Sequence, residues 1–355
     1  MIKFTDIVVD LSHGDSGKGA VVYELSKKRD YDIVMRVNGS SNAGHTIYHN
    51  EQKFVTHIVP TGIFHGKISI IGSECVLNVK KFLKEVQELK DAGIDVDGKI
   101  LISKECHIVT DEHIKEEERE SKIGTTKQGV GPCIRDKYAR VGIRAESIEE
   151  LKPFVIDLYD FLFHPKKQYG ILCEGAQGQF LDISQGDYPF VTSSHTGVSG
   201  ALLNYIPYSK VRNVYGVAKA YDTYVGAKSF EANDPVFAKL REIGGEFGAT
   251  TGRPRQCNWL NLDNLCKAIN INGVTNLIIS KMDVLKQLND QFDNKYWNTI
   301  YEKDVVGYSN EEDFKDYVAC YVYNECQDFT KHAFNSDDDV NNGIVWRYSP
   351  TDGVE

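Results

Sequence analysis

The feature that most constrains this chain lies at its start. An apolar run from Phe4 to Leu11 leads without a break into Ser12-His13-Gly14-Asp15-Ser16-Gly17-Lys18-Gly19-Ala20, and the residues after it predict a helix from Val21 to Lys28. Strand, glycine-rich loop and helix in that order bring backbone amides and a helix N-terminus to one point, where an anion can be held. Further apolar runs fit buried strands at Tyr31 to Val37, Ile68 to Gly72, Lys99 to Ser103, Tyr169 to Glu174, Val211 to Ala218, Asn276 to Lys281 and Ile344 to Tyr348. Between them, Val79, Phe82, Leu83, Val86 and Leu89 recur at helical spacing and predict a helix from Val79 to Ala92. Such alternation predicts an α/β fold with a central, mainly parallel sheet flanked by helices.

The chain is long enough for a large core, with 355 residues of which 41% are hydrophobic and 26% charged. It has no apolar stretch of bilayer length and no secretory pattern at its start, so a cytoplasmic protein without a membrane partner is expected. A formal charge of −10 argues against a general grip on nucleic acid, so any phosphate must be caught locally. Eight cysteines without a C-x-x-C pair read as reduced core thiols rather than a zinc site. With no linker and no repeat, residues 1–355 read as a single domain. The acidic stretch Glu116-Glu117-Glu118 reads as a solvated helix face, and Asp337-Asp338-Asp339 as a surface loop.

Five further segments carry possible chemistry. In the first loop, a phosphate cradle and a tight structural turn both fit. It is not a standard Walker A motif, since Ser12 and Gly19 stand where Gly and Ser or Thr are required. Asp15 tips the balance towards function, because a carboxylate among anion-binding amides is costly unless it holds a metal or takes a proton. Asn38 to Thr46 packs small and polar residues around His45, which fits either a surface turn or a proton donor to a leaving oxygen. Gly124 to Pro132, followed by Arg135, Lys137, Arg140 and Arg144, offers a second anion site. Gln177 and Thr192 follow another buried strand and can hydrogen-bond a ring or a phosphate. Arg253 and Arg255, two apart in a glycine-bounded loop, suit a dicarboxylate or a phosphate, and Ser280-Lys281-Met282-Asp283 resembles a guanine-reading device.

Taken in order from Asp6 to Leu285, these motifs resemble the adenylosuccinate synthetase family. The resemblance implies a P-loop-related α/β fold and a homodimer. The implied reaction phosphorylates O6 of a 6-oxopurine nucleotide with a nucleoside triphosphate, after which the amine of L-aspartate displaces the phosphate at C6. It implies catalytic roles for Asp15, His45, Lys18 and Gln177, with Asp15 the base at N1 and His45 the acid on the transferred phosphoryl group. Asp15 and the Gly44 carbonyl would hold Mg2+. The implied triphosphate site comprises Ser16, Gly17, Lys18, Gly19, Gly44, His45, Thr46, Arg255, Lys281 and Asp283. The purine nucleotide would meet Asp15, Ser16, Asn42, Ala43, Thr125, Thr126, Gln177, Thr192 and Arg253, with Arg140 reaching across the dimer. Ala249, Thr250, Thr251, Gly252, Arg253 and Arg255 would form the aspartate loop.

Departures from the family pattern refine the expectation. Cellular members commonly read G-D-E-G-K-G, whereas Ser16 stands here in the glutamate position and His13 in place of tryptophan. Gln128 and Gln256 replace arginines, and the ending lacks the S-T-G-P-D-R segment that helps hold guanine. Short length and Ser16 resemble the phage branch, which joins dGMP rather than IMP to aspartate and so makes N6-succino-2-amino-2'-deoxyadenylate, a precursor of 2-aminoadenine DNA. Serine beside Asp15 frees volume near N1, where the 2-amino group of guanine lies. The expected donor is ATP or dATP, with GTP the alternative and ordinary IMP chemistry the alternative reaction. A nucleotide-binding regulator without catalysis is a third, minor reading.

Overall fold

The computed structural model describes residues 1–28, 30–119, 123–248, 252–329 and 343–348. Its centre is a nine-stranded sheet of β1 (Ile2–Asp10), β2 (Ile33–Arg36), β3 (Ile68–Ile71), β4 (Ile100–Ser103), β5 (Val155–Ile156), β6 (Tyr169–Glu174), β7 (Val211–Lys219), β8 (Asn276–Ser280) and β9 (Ile344–Trp346). The spatial order is β9-β8-β7-β1-β6-β2-β3-β4-β5, and every neighbouring pair runs parallel. Eight of these strands coincide with the apolar runs of the sequence. The ninth, β5, is two residues long and leaves no run to detect.

A parallel sheet needs cover on both faces, which is why its central strands read as unbroken apolar runs. Ile7 and Val9 of β1 face one core cluster, while Val8 faces another that includes Val21, Val22 and Leu25 of helix α1 (Lys18–Lys28). Helix α2 (Val79–Asp91) buries Phe82, Val86 and Leu89, and Asn78 caps it by accepting from the Lys81 amide. It ends one residue before the expected boundary. Helix α1 begins three residues earlier than its apolar pattern, because Lys18 and Gly19 carry no periodic signal yet are already helical. Smaller antiparallel pairings, 45–49 with 52–56 and 297–301 with 304–308, were not visible as apolar runs because polar residues break them.

The acidic stretch departs from the solvated-face expectation. In helix α3 (Asp111–Glu118), Glu117 is buried and its carboxylate accepts the Gly129 amide at 2.6 Å, just before helix α4 (Val130–Ala139). An amide opening a helix needs an acceptor, and Glu117 supplies it. Residues 337–339 lie outside the described residues. Seven cysteines are buried, whereas Cys320 is exposed. Among the described residues, no helix is long and apolar enough to cross a membrane.

Candidate functional site

Because the sheet is parallel, the carboxyl ends of its strands all open on one edge, and the ligand-facing loops gather there. The first loop leaves β1, the segment 37–44 leaves β2, Gly175 to Gly178 leave β6, Lys281 follows β8 and Arg347 follows β9. Together they border a cleft of about 600 Å³. Lys18, Lys53, Arg253, Arg255, Lys281 and Arg347 on its walls outnumber Asp15, Glu117 and Asp283. A locally basic cleft in an acidic chain is suited to an anionic ligand.

Of the expected site residues, the cleft gathers Asp15, Ser16, Gly17, Lys18, Gly19, Asn42, Ala43, Gly44, His45, Thr46, Thr125, Thr126, Gln177, Thr192, Arg253, Arg255, Lys281 and Asp283. Gly252 is exposed and does not border it. Arg140 is exposed at the C-terminal end of α4, also off the cleft. Ala249, Thr250 and Thr251 lie outside the described residues.

Three cleft residues hold backbone angles that side-chain-bearing residues rarely adopt: φ is 61° at Asp15, 57° at Gln177 and 65° at Lys281. Each such residue costs on the order of 1–3 kcal/mol, and such outliers concentrate at functional sites. Asp15 faces Arg255, whose Nε lies 2.9 Å from Asp15 Oδ2. Arg255 is steadied by Glu246 at 2.5 Å, and Glu246 in turn by Lys219 at 2.9 Å and the Tyr221 hydroxyl at 2.6 Å. Burial opposes the charge on Glu246, but Lys219 and Arg255 outweigh it and hold the carboxyl at about 2. Gln177 Nε2 donates to Asn42 Oδ1 at 3.3 Å, and Asn38 Nδ2 donates to Gln177 Oε1 at 3.3 Å, tying the β6 loop to the β2 loop.

His45 sits in a buried charge cluster of which Glu174 and Arg36 are the anchors. Both are fully buried, and the Glu174 carboxylate accepts from His45 Nδ1 at 2.5 Å, from the Thr61 amide at 2.8 Å and from the Thr61 hydroxyl at 2.9 Å. Arg36 Nη1 is 3.2 Å from Glu174 and 3.1 Å from His45 Nε2. Burial opposes charge on Glu174, but Arg36 and His45 keep it ionised. Burial and then Arg36 push His45 down to about 4. An ionised Glu174 fixes the proton of neutral His45 on Nδ1. Gly19 makes room for this ring, since a Cβ there would lie 2.5 Å from His45 Cβ.

Sequence reasoning passed over Glu174 and Arg36 because they are the last residues of apolar strands, where a charge looks like a boundary. It also passed over Arg347, Tyr224 and Phe190, which border the cleft. Two departures from the family pattern have structural partners. His13 Nε2 pairs with Asp187 at 3.1 Å, its ring within 5.4 Å of Phe180, Tyr224 and Phe230. Gln256 Oε1 accepts the Phe230 amide at 2.9 Å, while its Nε2 donates to the Lys228 carbonyl at 2.8 Å, so it fastens the segment before α-helical residues 236–244.

Fold and cleft together define a parallel-sheet protein built to hold an anionic ligand at the carboxyl edge. The profile of the adenylosuccinate synthetase family matches residues 7–150 and 145–296. Adenylosuccinate synthetase of Thermodesulfovibrio yellowstonii is 37% identical over 353 residues, covering 84% of this chain and 82% of that protein. The enzyme of Salinibacter ruber is 38% identical over 346 residues, covering 80% and 78%. The fully ligated adenylosuccinate synthetase of Plasmodium falciparum superposes with a TM-score of 0.76 at 26% identity over 97% of both chains. The succinoaminodeoxyadenylate synthetase of cyanophage S-2L, bound to dGMP and dATP as an energy donor, shares the fold with a TM-score of 0.70 at 21% identity, over 90% of this chain and 100% of that one. This chain belongs to the adenylosuccinate synthetase family, a family of C–N ligases acting on a nucleotide and aspartate.

Proposed function

We propose that this chain joins L-aspartate to C6 of dGMP through a 6-phosphoryl intermediate, giving N6-succino-2-amino-2'-deoxyadenylate. The gathering of Asp15, His45, Lys18 and Gln177 in one basic cleft supports the common chemistry. Asp15 takes the N1 proton as O6 attacks the terminal phosphorus of the triphosphate, and the nucleoside diphosphate leaves. The amine of aspartate then adds at C6 and inorganic phosphate departs with the former O6. Transfer of this kind depends on positioning and charge rather than on covalent catalysis by the protein. The Asp15 carboxylate and the Gly44 carbonyl are hard oxygen donors bordering the same cleft, the donor type that suits Mg2+, and they would hold it. Bound there, the ion would neutralise charge on the phosphates. Arg253 and Arg255, two forked guanidiniums bordering the cleft, take the carboxylates of L-aspartate.

The observation that carries dGMP is Ser16. It is buried beside Asp15 and borders the cleft with a small neutral side chain. A site rejects an added group by a clash or an unpaired polar atom, so a smaller residue next to the N1 base favours a purine with a 2-amino group. IMP is the second reading, and the names of the 34–38% identical relatives favour it. Our donor is ATP or dATP, in keeping with the phage-branch resemblance; Asp283 and Lys281 in the cleft, and the GTP used by the family, favour GTP. Purified protein assayed with L-aspartate, Mg2+ and each nucleotide and donor decides these points. Turnover of dGMP at least about tenfold above IMP is expected from discrimination of 1.4 kcal/mol or more. Consumption of IMP without dGMP overturns the dGMP reading.

A further inference from the structure

Asp10 is a buried carboxylate to which none of the steps above gives work. It ends β1 and is 1% exposed. Its Oδ1 accepts the amides of Ser12 at 3.0 Å and Gly14 at 3.2 Å. Its Oδ2 accepts the amide of Ser16 at 3.1 Å and the ammonium of Lys18 at 3.0 Å. Burial by itself would raise this carboxyl, but Lys18 and the loop amides outweigh it and hold it below the usual range. The second bond of Lys18 goes to the Gln177 carbonyl at 2.6 Å. Gly178 lets the β6 loop close over this arrangement, for a Cβ there would lie 2.3 Å from the Gly14 nitrogen and 2.8 Å from Asp10 Oδ1.

The glycine loop is therefore already filled from below. Alternate amides at 12, 14 and 16 turn inward onto an internal anion, so they do not face a ligand phosphate. The amides that open α1, which a helix leaves without intrahelical partners, are the ones left to receive it. Lys18 carries its charge on a flexible four-carbon stem, and a buried carboxylate is what selects one of its rotamers.

We propose that Asp10 is a positioning residue for phosphoryl transfer: it acts through Lys18, holding that ammonium and the glycine loop in one arrangement against the cleft floor. The proposal rests on the phosphoryl-transfer reading of the cleft. Asp10→Asn keeps the shape and one carbonyl oxygen for Ser12 and Gly14. It also turns an amino group towards the Ser16 amide and Lys18, donor against donors, and so releases the lysine.

The test is a kinetic cycle of wild type, Asp10→Asn, Lys18→Met and the double variant, with thermal unfolding measured alongside. Releasing Lys18 while removing a negative charge should lower kcat by roughly 10- to 100-fold without raising the KM for the triphosphate. In the Lys18→Met background, Asp10→Asn should cost nothing further in kcat, because residues acting as one unit are not additive. Independent, multiplying losses, or an unchanged kcat in Asp10→Asn, overturn the proposal. A rise in KM that matches the fall in kcat does so too, since that marks a loop that has merely collapsed. Should Asp10→Asn not fold alone, the double variant is compared with Lys18→Met by itself: equal kcat supports the proposal, and a further tenfold loss overturns it. Wild-type protein that phosphorylates no 6-oxopurine nucleotide would instead defeat the reading beneath it, a result distinct from an active wild type indifferent to Asp10.

Discussion

At the scale of single residues, several charges in and beneath the cleft, among them Asp15, Lys18, Arg255 and Glu174, are already paired within the protein. His45 illustrates what that pairing does. Burial and Arg36 hold it down to about 4, so at neutral pH the cleft presents a neutral imidazole with its proton on the side of Glu174. An arriving phosphate anion favours the protonated form. Triphosphate binding near pH 6.5 should then take up part of a proton, seen as a calorimetric heat that varies with the ionisation enthalpy of the buffer. His45→Asn should abolish that variation, and a buffer-independent heat in the wild type would contradict the role of His45. Glu174→Gln removes the charge that faces Arg36 and His45 at a fully buried position. Breaking a buried pair on one side costs about 3–5 kcal/mol, so urea unfolding should show a loss of that order, and a change below about 1 kcal/mol would mean that Arg36 finds another partner. Asp15, His45 and Gln177 were legible in the sequence because each interrupts a glycine-rich loop after an apolar run. Glu174, Arg36 and Asp10 were not, because each is the last residue of an apolar strand, where a charge looks like a boundary, and only the fold turns it onto its partners.

At the scale of elements, strands can be read from the sequence wherever both faces are buried. The run from Tyr169 to Glu174 is a strand to the residue, and its register against β1 and β2 places Glu174 opposite Val8 and Arg36. The pairing of 45–49 with 52–56 is hidden because its second strand is mostly polar and partly exposed. That hidden hairpin is what carries His45, held against the start of α1. Its contact with Gly19 leaves no room for a side chain, since a prospective Cβ would lie 2.5 Å from His45 Cβ. Gly19→Ala should therefore displace the imidazole, costing about 1–3 kcal/mol as an overpacked contact and lowering kcat by more than it lowers stability. Activity equal to wild type, with Tm reduced, would show that the hairpin shifts as a unit and keeps its geometry.

At the scale of the whole molecule, one sheet contains both the first strand of the chain and the last described one, residues 2–10 and 344–346. The groups that the fold buries also set its response to acid. His65 is pushed down to about 4, first by burial and then by His49, and Glu246 and Asp187 are held at about 2. Each of these folded-state values lies below the unfolded one, 6.5 for the imidazole and 4.5 or 3.8 for the carboxyls. Between the two values the unfolded chain binds more protons, so stability rises with pH. These groups predict a Tm that climbs from pH 2 to about 6.5, steeply at the acid end where carboxylate pairing is lost. A Tm maximum near pH 4 would contradict it. Overall charge, −10 in total, was legible from composition, but the basic walls of the cleft were not. They come from residues as distant in sequence as Lys18 and Arg347, which only the sheet brings together.

The most direct test of the central claim, that this cleft activates O6 by phosphorylation, follows one oxygen atom. With dGMP labelled with 18O at C6, L-aspartate, ATP and Mg2+, the phosphate released at each turnover should carry one 18O, read by mass spectrometry. Unlabelled phosphate, with the label retained in the nucleotide, would contradict the account.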